Sequence, residues 1–355
     1  MAKNCGIVLA GGRARRFQVK GGPWTDKALA SILGKPMLIH VIEGLRPVVE
    51  EIIICVDSEV RRRRYTKLLR DHSLGDAYIR IVIDLKIPFI RGPAVAITTG
   101  LNAASADNCV VVPCDAPFIQ PTVIDYLLSA LKDASLAAPI HADGSVETVI
   151  FACRRQKTAE VSETLCWLGR DRPDDLLRGL PKVNFISVSG ELKDLDPEFK
   201  SFININFRED LVDLRSRVVA EGPIKESIHI DLGSPESSEM RTLREAAKKC
   251  LDERFAEAAD IFSHISSLFE EKRLYFWAGL CREKEGISLQ RLLKGQRNTL
   301  LRSELKEKSR RAFMRASQNY ALEAEVFAQK QIHLLAKRAR EDEIWCKGRI
   351  GVKIG

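Results

Sequence analysis

The 355-residue sequence contains no hydrophobic run approaching the roughly 20 residues that a membrane-spanning helix requires. Its first apolar stretch, GIVLA at residues 6–10, is too short for a secretory signal, and arginines follow that stretch instead of preceding it. We therefore expect a cytoplasmic protein that does not bind membranes.

Paired cysteines are also missing. The nine cysteines stand singly along the chain, without a CxxC motif or a spacing typical of a zinc site or a disulfide framework. Several of them lie in apolar runs, where a reduced cysteine acts as a small hydrophobic residue. The sequence therefore predicts no structural metal centre.

The first 240 residues carry almost no net charge. Residues 241–355 contain 25 lysines and arginines against 16 acidic residues, which accounts for the net charge of +8 of the whole chain. Such a basic segment suits an acidic protein partner, and it also serves solubility alone. Because the segment has no motif with interleaved aromatics and glycines, we expect no nucleic-acid partner.

A regular alternation of short β-branched runs and helix-like stretches is present over residues 5–210. The runs are GIVLA, EIIICVD, IRIVID, CVVVPCD, LAAPI, TVIFACR, VNFISV and FININ. This alternation predicts a Rossmann-like α/β fold, with a doubly wound, mostly parallel sheet covered by helices on both faces. Ligands bind at the carboxyl ends of such strands, and this edge includes Gly11, Asp57, Asp84 and Asp115.

The composition changes after this region and predicts further segments. We expect an α/β domain over 1–219, a linker rich in serine, glycine and proline over 220–240, an all-α domain over 241–346 and a tail over 347–355. The stretch AAKKCLDERFAEAADIF is faintly similar to a tetratricopeptide unit, although no second clean copy follows.

The stretch LAGGRARRF, residues 9–17, follows the first predicted strand. The simplest interpretation is a tight turn at Gly11 and Gly12, followed by solvated arginines. A glycine turn before a helix also lets backbone amides approach a phosphate, to which Arg13 and Arg16 would add positive charge.

Asp115 and Lys27 each have an ordinary structural interpretation and a functional one. Asp115 ends a buried strand, where it is either a helix N-cap or a ligand of a Mg²⁺ ion that nucleotide phosphates share. Lys27 lies downstream of the glycines and is either an ordinary surface lysine or a group that neutralises phosphate charge in a transition state.

Taken in order, LAGGRARRF, DK, LGKPML, RGPAVAITTGL, VVVPCDAPFI and FININFREDL resemble the molybdenum cofactor guanylyltransferase family over about the first 215 residues. The resemblance implies a Mg²⁺-dependent nucleotidyltransferase of the nucleotide-diphospho-sugar transferase type. Such an enzyme transfers GMP from GTP to the phosphate of a molybdopterin-type cofactor and releases pyrophosphate. Positioning and charge neutralisation carry such a reaction, so we expect no nucleophilic side chain.

The resemblance also assigns roles to individual residues. It implies that Arg16, Lys27 and Asp115 are catalytic, with Asp115 as the metal ligand, and that Asn204 and Asn206 lie at the centre where the acceptor reacts. The nucleotide-binding set that it implies is Leu9, Ala10, Gly11, Gly12, Arg13, Lys27, Asp57, Asp84, Gly92, Pro93 and Asp115.

Three features depart from the family pattern. The segment QVKGGPWTD, residues 18–26, lengthens the loop before Lys27, and Phe17 stands in place of a methionine. Cys55 and Asp57 stand where guanine recognition often uses an asparagine, so the base is open between guanine, which LAGG favours, and cytosine. The run RRRR at 61–64 is either a solvated helix face or a site for an acidic carrier protein.

These departures keep other functions open. One alternative is a nucleotide-binding scaffold without activity, whose helical domain docks a protein partner. Another is a nucleotidyltransferase that acts on a different phosphate acceptor, such as cobinamide phosphate or a sugar phosphate. The longer loop favours the scaffold, whereas Lys27, Asp115, Asn204 and Asn206 favour an enzyme.

Overall fold

The computed structural model describes residues 3–75, 78–216 and 218–351, and it divides the chain into two compact units. The first unit comprises Met1–Cys166, Asp171–Leu177 and Lys182–Asp231. The second comprises Trp167–Arg170, Arg178–Pro181 and Leu232–Gly355. Both units are therefore discontinuous in sequence, and the domain bounds expected from composition stay a prediction.

The first unit is built on an eight-stranded sheet of order β10-β9-β7-β8-β6-β1-β4-β5, beside a two-stranded hairpin of β2 and β3. The strands are β1 (Asn4–Leu9), β2 (Ser31–Ile32), β3 (Lys35–Pro36), β4 (Glu51–Val56), β5 (Ile79–Ile83), β6 (Asn108–Pro113), β7 (Leu136–Ile140), β8 (Phe151–Arg154), β9 (Lys182–Ser187) and β10 (Ile228–Asp231). In the large sheet, β8 and β10 run antiparallel to their neighbours and all other pairs are parallel. The predicted α/β fold with a mostly parallel sheet is confirmed.

Helices connect these strands. They are α1 (Met37–Leu45), α2 (Glu59–Asp71), α3 (Pro93–Ala103), α4 (Pro121–Ser129), α5 (Arg155–Trp167), α6 (Pro173–Gly179) and α7 (Glu191–Leu195). Every residue of β4 is buried, as is typical of a strand with helices on both faces of its sheet. The pairs Leu9 with Cys55 and Leu9 with Pro113 align the carboxyl ends of β1, β4 and β6 at one edge.

Two segments differ from the predicted secondary structure. FININ is not a strand, because its backbone finds other partners: the Ile205 amide donates to the Asp115 carbonyl, and the Asn206 amide donates to the Asp210 carboxylate. Within 220–240, where composition predicts a linker, Ile228–Asp231 forms strand β10 and pairs with β9.

The second unit is dominated by α8 (Ser237–Leu251), α9 (Phe255–Glu271), α10 (Tyr275–Gly295), α11 (Thr299–Gln329) and α12 (His333–Arg349). Three residues join each helix to the next, and each packs against its successor, which is the pattern of antiparallel neighbours. Of the predicted tail, 347–349 complete α12 and 352–355 lie outside the described residues. None of the helices in the described ranges has the length and apolarity needed to cross a membrane.

Candidate functional site

The loop after β1, residues 10–13, is called here the glycine loop. Gly11 lies so close to the neighbouring strand ends that a Cβ atom on it would be 3.0 Å from both the Asp57 amide nitrogen and the Asp84 carboxylate. A larger residue would need both neighbours to shift by a few tenths of an ångström, so the close approach favours glycine. The structure thus brings together three of the residues predicted at this edge.

Side chains from α2 hold the carbonyl groups of the glycine loop. The buried guanidinium of Arg61 donates to the Gly12 carbonyl at 2.8 Å and to the Ala10 carbonyl at 3.4 Å. The hydroxyl of Tyr65 lies 3.2 Å from the same Ala10 oxygen and shares its single proton between that oxygen and the Asp26 carboxylate. Burial raises the pKa of this hydroxyl well above its usual value, so it stays protonated and donates.

The amide groups of the glycine loop are free for a ligand. Among the residues that the structure describes, no acceptor receives a hydrogen bond from the backbone nitrogens of Gly11, Gly12 or Arg13. Successive backbone amides without partners form an anion-binding concavity, and the held carbonyls fix its shape. Amides in this arrangement are suited to bind phosphate oxygens.

Asp26 and Asp57 complete the support of this loop. Asp26 accepts from the Tyr65 hydroxyl at 3.0 Å and pairs with the Arg61 Nε at 3.4 Å. Asp57 pairs with the Arg61 Nη1 at 3.3 Å. Arg61 is thus enclosed by two carboxylates and two carbonyls, which stabilises a buried charge.

Sequence reasoning missed Arg61 and Tyr65. The interpretation of 61–64 as a solvated face is wrong for Arg61, which is 4% exposed, because Asp26 and the loop carbonyls receive its guanidinium. Arg62 and Arg63 do lie on the exposed face, where both pair with Glu59. The spacing of Arg61, Tyr65 and Leu69 was the available signal, since residues four apart share a helix face.

The lengthened segment at 18–26 is held in place by side chains. Gln18 donates to the carbonyls of Ala14 and Thr25 and accepts from the Thr25 amide at 2.8 Å. Arg208 donates to the Thr25 hydroxyl at 2.8 Å, and Trp24 stacks on Arg61 with its ring centroid 5.0 Å from the guanidinium carbon. The extra residues therefore form a closed loop that leaves Lys27 next to β6.

Lys27 and Asp115 form an ion pair with 2.6 Å between Nζ and Oδ2. Lys27 is 8% exposed at the start of a short 3₁₀ turn, and Asp115 follows β6. The Ile205 amide donates to the Asp115 carbonyl at 2.9 Å, which brings the half-buried Asn204 and Asn206 next to Asp115 in the fold. Phe17, at the methionine position of the family pattern, packs beside Ile205 in a small apolar cluster.

The carboxyl of Asp84 has an altered acidity. Burial and the neighbouring charge of Asp57 raise the pKa of Asp84 to about 7, although Arg61 acts in the opposite direction. Its Oδ1 atom is buried and has no hydrogen-bond partner among the described residues. A buried oxygen without a partner next to Gly11 marks a place where a ligand N–H or O–H group would bind favourably.

The remaining predicted residues occupy separate positions. Gly92 caps α3 with a φ of 112°, a conformation that favours glycine, and Pro93 is the first residue of that helix. Arg13 and Arg16 are exposed. Leu9 is the last residue of β1 and accepts a backbone hydrogen bond from Cys114.

No three His, Cys, Asp or Glu side chains are grouped to hold a metal ion within 3–75, 78–216 and 218–351. Mg²⁺ does not need such a group when substrate phosphates and water supply most of its ligands. Asp115, partly exposed at a strand end beside Lys27, fits a shared ion of that kind.

A glycine loop, a lysine and a carboxylate thus lie together at the ends of parallel strands, and groups of these types bind and neutralise phosphates in nucleotidyltransferases. The sequence model of the MobA-like NTP transferase domain family matches residues 6–183, half of the chain. The chain belongs to this family and is a nucleotidyltransferase.

Two named relatives and one solved structure are similar to this chain over its first part. A Methanosarcina mazei protein named "Probable molybdenum cofactor guanylyltransferase" is 29% identical over 205 residues, which are 58% of this chain and 87% of the relative. The Shewanella amazonensis molybdenum cofactor guanylyltransferase is 26% identical over 208 residues, 59% of this chain and 93% of its own.

The crystal structure of molybdopterin-guanine dinucleotide biosynthesis protein A from Archaeoglobus fulgidus is 23% identical, with a TM-score of 0.48 and coverage of 60% of this chain and 96% of that one. Helices α8–α12 lie beyond the residues that the family model matches.

Proposed function

We propose that this chain transfers GMP from GTP to the phosphate of a molybdopterin-type acceptor and releases pyrophosphate. The observation that carries the proposal is the Lys27–Asp115 ion pair beside a glycine loop whose amides have no partner among the described residues. The names of the Methanosarcina mazei and Shewanella amazonensis relatives supply the donor and the acceptor class. On this proposal the protein works in the cytoplasm.

Each group at the site has a task in this reaction. The amides of Gly11, Gly12 and Arg13 bind the triphosphate, and Lys27 exchanges the Asp115 carboxylate for phosphate oxygens. The bond that forms joins the acceptor phosphate oxygen to the α-phosphorus, and the bond that breaks releases the β- and γ-phosphates. Lys27 and Arg16 neutralise the charge that grows on the leaving pyrophosphate. Asn204 and Asn206 orient the acceptor phosphate.

Asp115 would hold a Mg²⁺ ion that the phosphates share, and the ion would supply charge neutralisation for the reacting phosphate. Asp57 and Asp84 lie next to Gly11. We assign them to the ribose and base. On this proposal, the Asp84 carboxyl accepts from N–H or O–H groups of the guanosine.

The test is pyrophosphate release by the full chain with Mg²⁺, a nucleotide and a phosphate acceptor. We expect release with GTP and molybdopterin, and a smaller rate when CTP replaces GTP. Release only with cobinamide phosphate or a sugar phosphate would assign a different acceptor. Release with none of these pairs, by a chain that still binds GTP, would identify a nucleotide-binding scaffold.

A further inference from the structure

A cleft of about 410 Å³ lies beside the glycine loop, between that loop and α2. It is called here the α2 cleft. Its lining includes Arg13 and Arg15 from the loop side, Trp24 from the lengthened segment, and Asp57, Arg61 and Arg64 from the end of β4 and from α2. The cleft is open to solvent and is large enough for a phosphate ester.

Three arginines of the α2 cleft carry charge that the protein does not neutralise. Arg13, Arg15 and Arg64 are exposed, and among the described residues none of them has an ion pair or a side-chain hydrogen bond. The carboxylate in the lining, Asp57, is paired with Arg61. Like charges around one cleft repel each other, and a bound anion relieves that repulsion.

Arg64 differs from the other arginines of its run. Arg61 is buried beneath the glycine loop, and Arg62 and Arg63 are paired with Glu59 on the outer face of α2. Pairing with an acid one turn away is the ordinary role of an arginine on a helix surface. Arg64 has no such partner within 3–75, 78–216 and 218–351, and it lines the cleft instead.

We propose that the α2 cleft is a phosphate-binding subsite, in which Arg13, Arg15 and Arg64 bind a phosphate group of a small-molecule ligand. Arginine is suited to this task because its planar guanidinium binds two phosphate oxygens at once. The wall behind them is held in place, since Trp24 stacks on a buried Arg61 that is fixed by two carbonyls. The bound phosphate group belongs either to the nucleotide or to the acceptor. Only the choice between these two ligands rests on the proposed function; phosphate binding at the α2 cleft does not.

The binding test uses inorganic pyrophosphate as the probe, in titration calorimetry with the full chain at low ionic strength. We expect Arg64→Gln to weaken pyrophosphate binding about tenfold, the loss typical of one charge-assisted contact. The matched control is Arg63→Gln, which removes the same charge from the same helix but from a residue paired with Glu59. Arg63→Gln is expected to change affinity less than about twofold, because exposed charges are screened. Equal losses in the two variants, or no loss in Arg64→Gln, would overturn the subsite.

A kinetic measurement then distinguishes the source of the phosphate. In the pyrophosphate-release assay, a rise in KM for GTP in Arg64→Gln assigns the subsite to the nucleotide, and a rise in KM for the acceptor assigns it to the acceptor. Unchanged values of both KM would contradict the subsite. The calorimetric experiment measures binding and does not depend on catalysis. A chain that is inactive with every acceptor would therefore refute the proposed function without affecting the test of the subsite.

Discussion

Arginine has opposite roles at two places in this molecule, the glycine loop of the first unit and a buried network of the second. Around the glycine loop of the first unit, Arg13, Arg15 and Arg64 are exposed and have no ion pair with a described residue. In the second unit, Arg170 and Arg178 are buried and held by carboxylates. A buried arginine whose donors are satisfied can stabilise only the fold around it, whereas an exposed one without a partner is available to a ligand.

In the second unit, Arg170 and Arg178 form a buried network of ion pairs with Glu283, Glu323 and Asp342. Arg178 makes two contacts of 2.7 Å with the Glu323 carboxylate and one of 2.7 Å with Asp342. Arg170 contacts Asp342 at 3.0 Å and Glu283 at 2.8 Å. Burial alone would raise the pKa of Glu283, but the charges of Arg170 and Lys284 outweigh it and hold that pKa below its usual range. The network joins α10, α11 and α12 to two short segments, Trp167–Arg170 and Arg178–Pro181.

The largest expected effect is on this network. Replacing Arg178 by methionine leaves Glu323 and Asp342 buried without that guanidinium, and such a loss typically costs about 3 to 5 kcal/mol of unfolding free energy. We expect urea unfolding, followed by helical circular dichroism, to shift to clearly lower denaturant. The control is Arg254→Gln, whose pair with Glu257 is exposed and whose loss is expected to leave the midpoint unchanged. Equal midpoints for Arg178→Met and the native chain would show that the network does not support the fold.

The loss of the Asp115 charge is expected to affect the reaction rate most. Asp115→Asn is expected to lower pyrophosphate release at least about 100-fold, because groups that neutralise transition-state charge contribute about 3 kcal/mol each. Asp133→Asn is a matched control, since Asp133 also pairs with a lysine, Lys182, but at the exposed surface. A variant at Asp115 that kept more than about a tenth of the native rate would remove this residue from the catalytic group.

The raised pKa of Asp84 provides a third test, which measures how stability depends on pH. The folded pKa of Asp84, about 7, lies above the ordinary 3.8, so its contribution to stability is complete below pH 4 and is lost as pH rises through 7. Asp84→Asn stays neutral, and the variant should therefore gain stability relative to the native chain from pH 5 to pH 8. The shift of about three pKa units sets an upper limit of about 4 kcal/mol on the gain at pH 8, and because solvent screens this partly exposed carboxyl we expect about 2 kcal/mol. Thermal melts at several pH values measure it, and a difference that does not vary with pH would contradict the raised pKa.

Local sequence predicted the fold because buried parallel strands are continuous apolar runs, as in EIIICVD, and the helices between them have their own periodicity. FININ has the same local character, yet its amides bind the Asp115 carbonyl and the Asp210 carboxylate, which only the folded chain brings near. The segments Trp167–Arg170 and Arg178–Pro181 are assigned to the second unit by contacts with residues far along the chain. No composition change marks such a division.

The candidate site was predictable where a residue directly follows a strand. Gly11, Asp57 and Asp84 each follow a strand of the parallel sheet, so sheet geometry alone brings them together. Arg61 was not predictable in this way, because an arginine is buried only when acceptors surround it. Those acceptors, Asp26 and the Gly12 carbonyl, come from other parts of the chain.

Arg61 is buried like Arg178, but it holds the carbonyl groups of the glycine loop. Arg61→Lys keeps the charge but has no planar fork to bridge the Ala10 and Gly12 carbonyls. We expect KM for GTP to rise about fivefold, close to 1 kcal/mol, with kcat nearly unchanged, because the amides of the glycine loop are less well oriented for the phosphates. Arg62→Lys is the control on the exposed side of α2 and should leave both constants at native values. A fall in kcat at constant KM would place Arg61 among the groups that act on the transition state, and an unchanged KM and kcat would make Arg61, like Arg178, a residue of the fold alone.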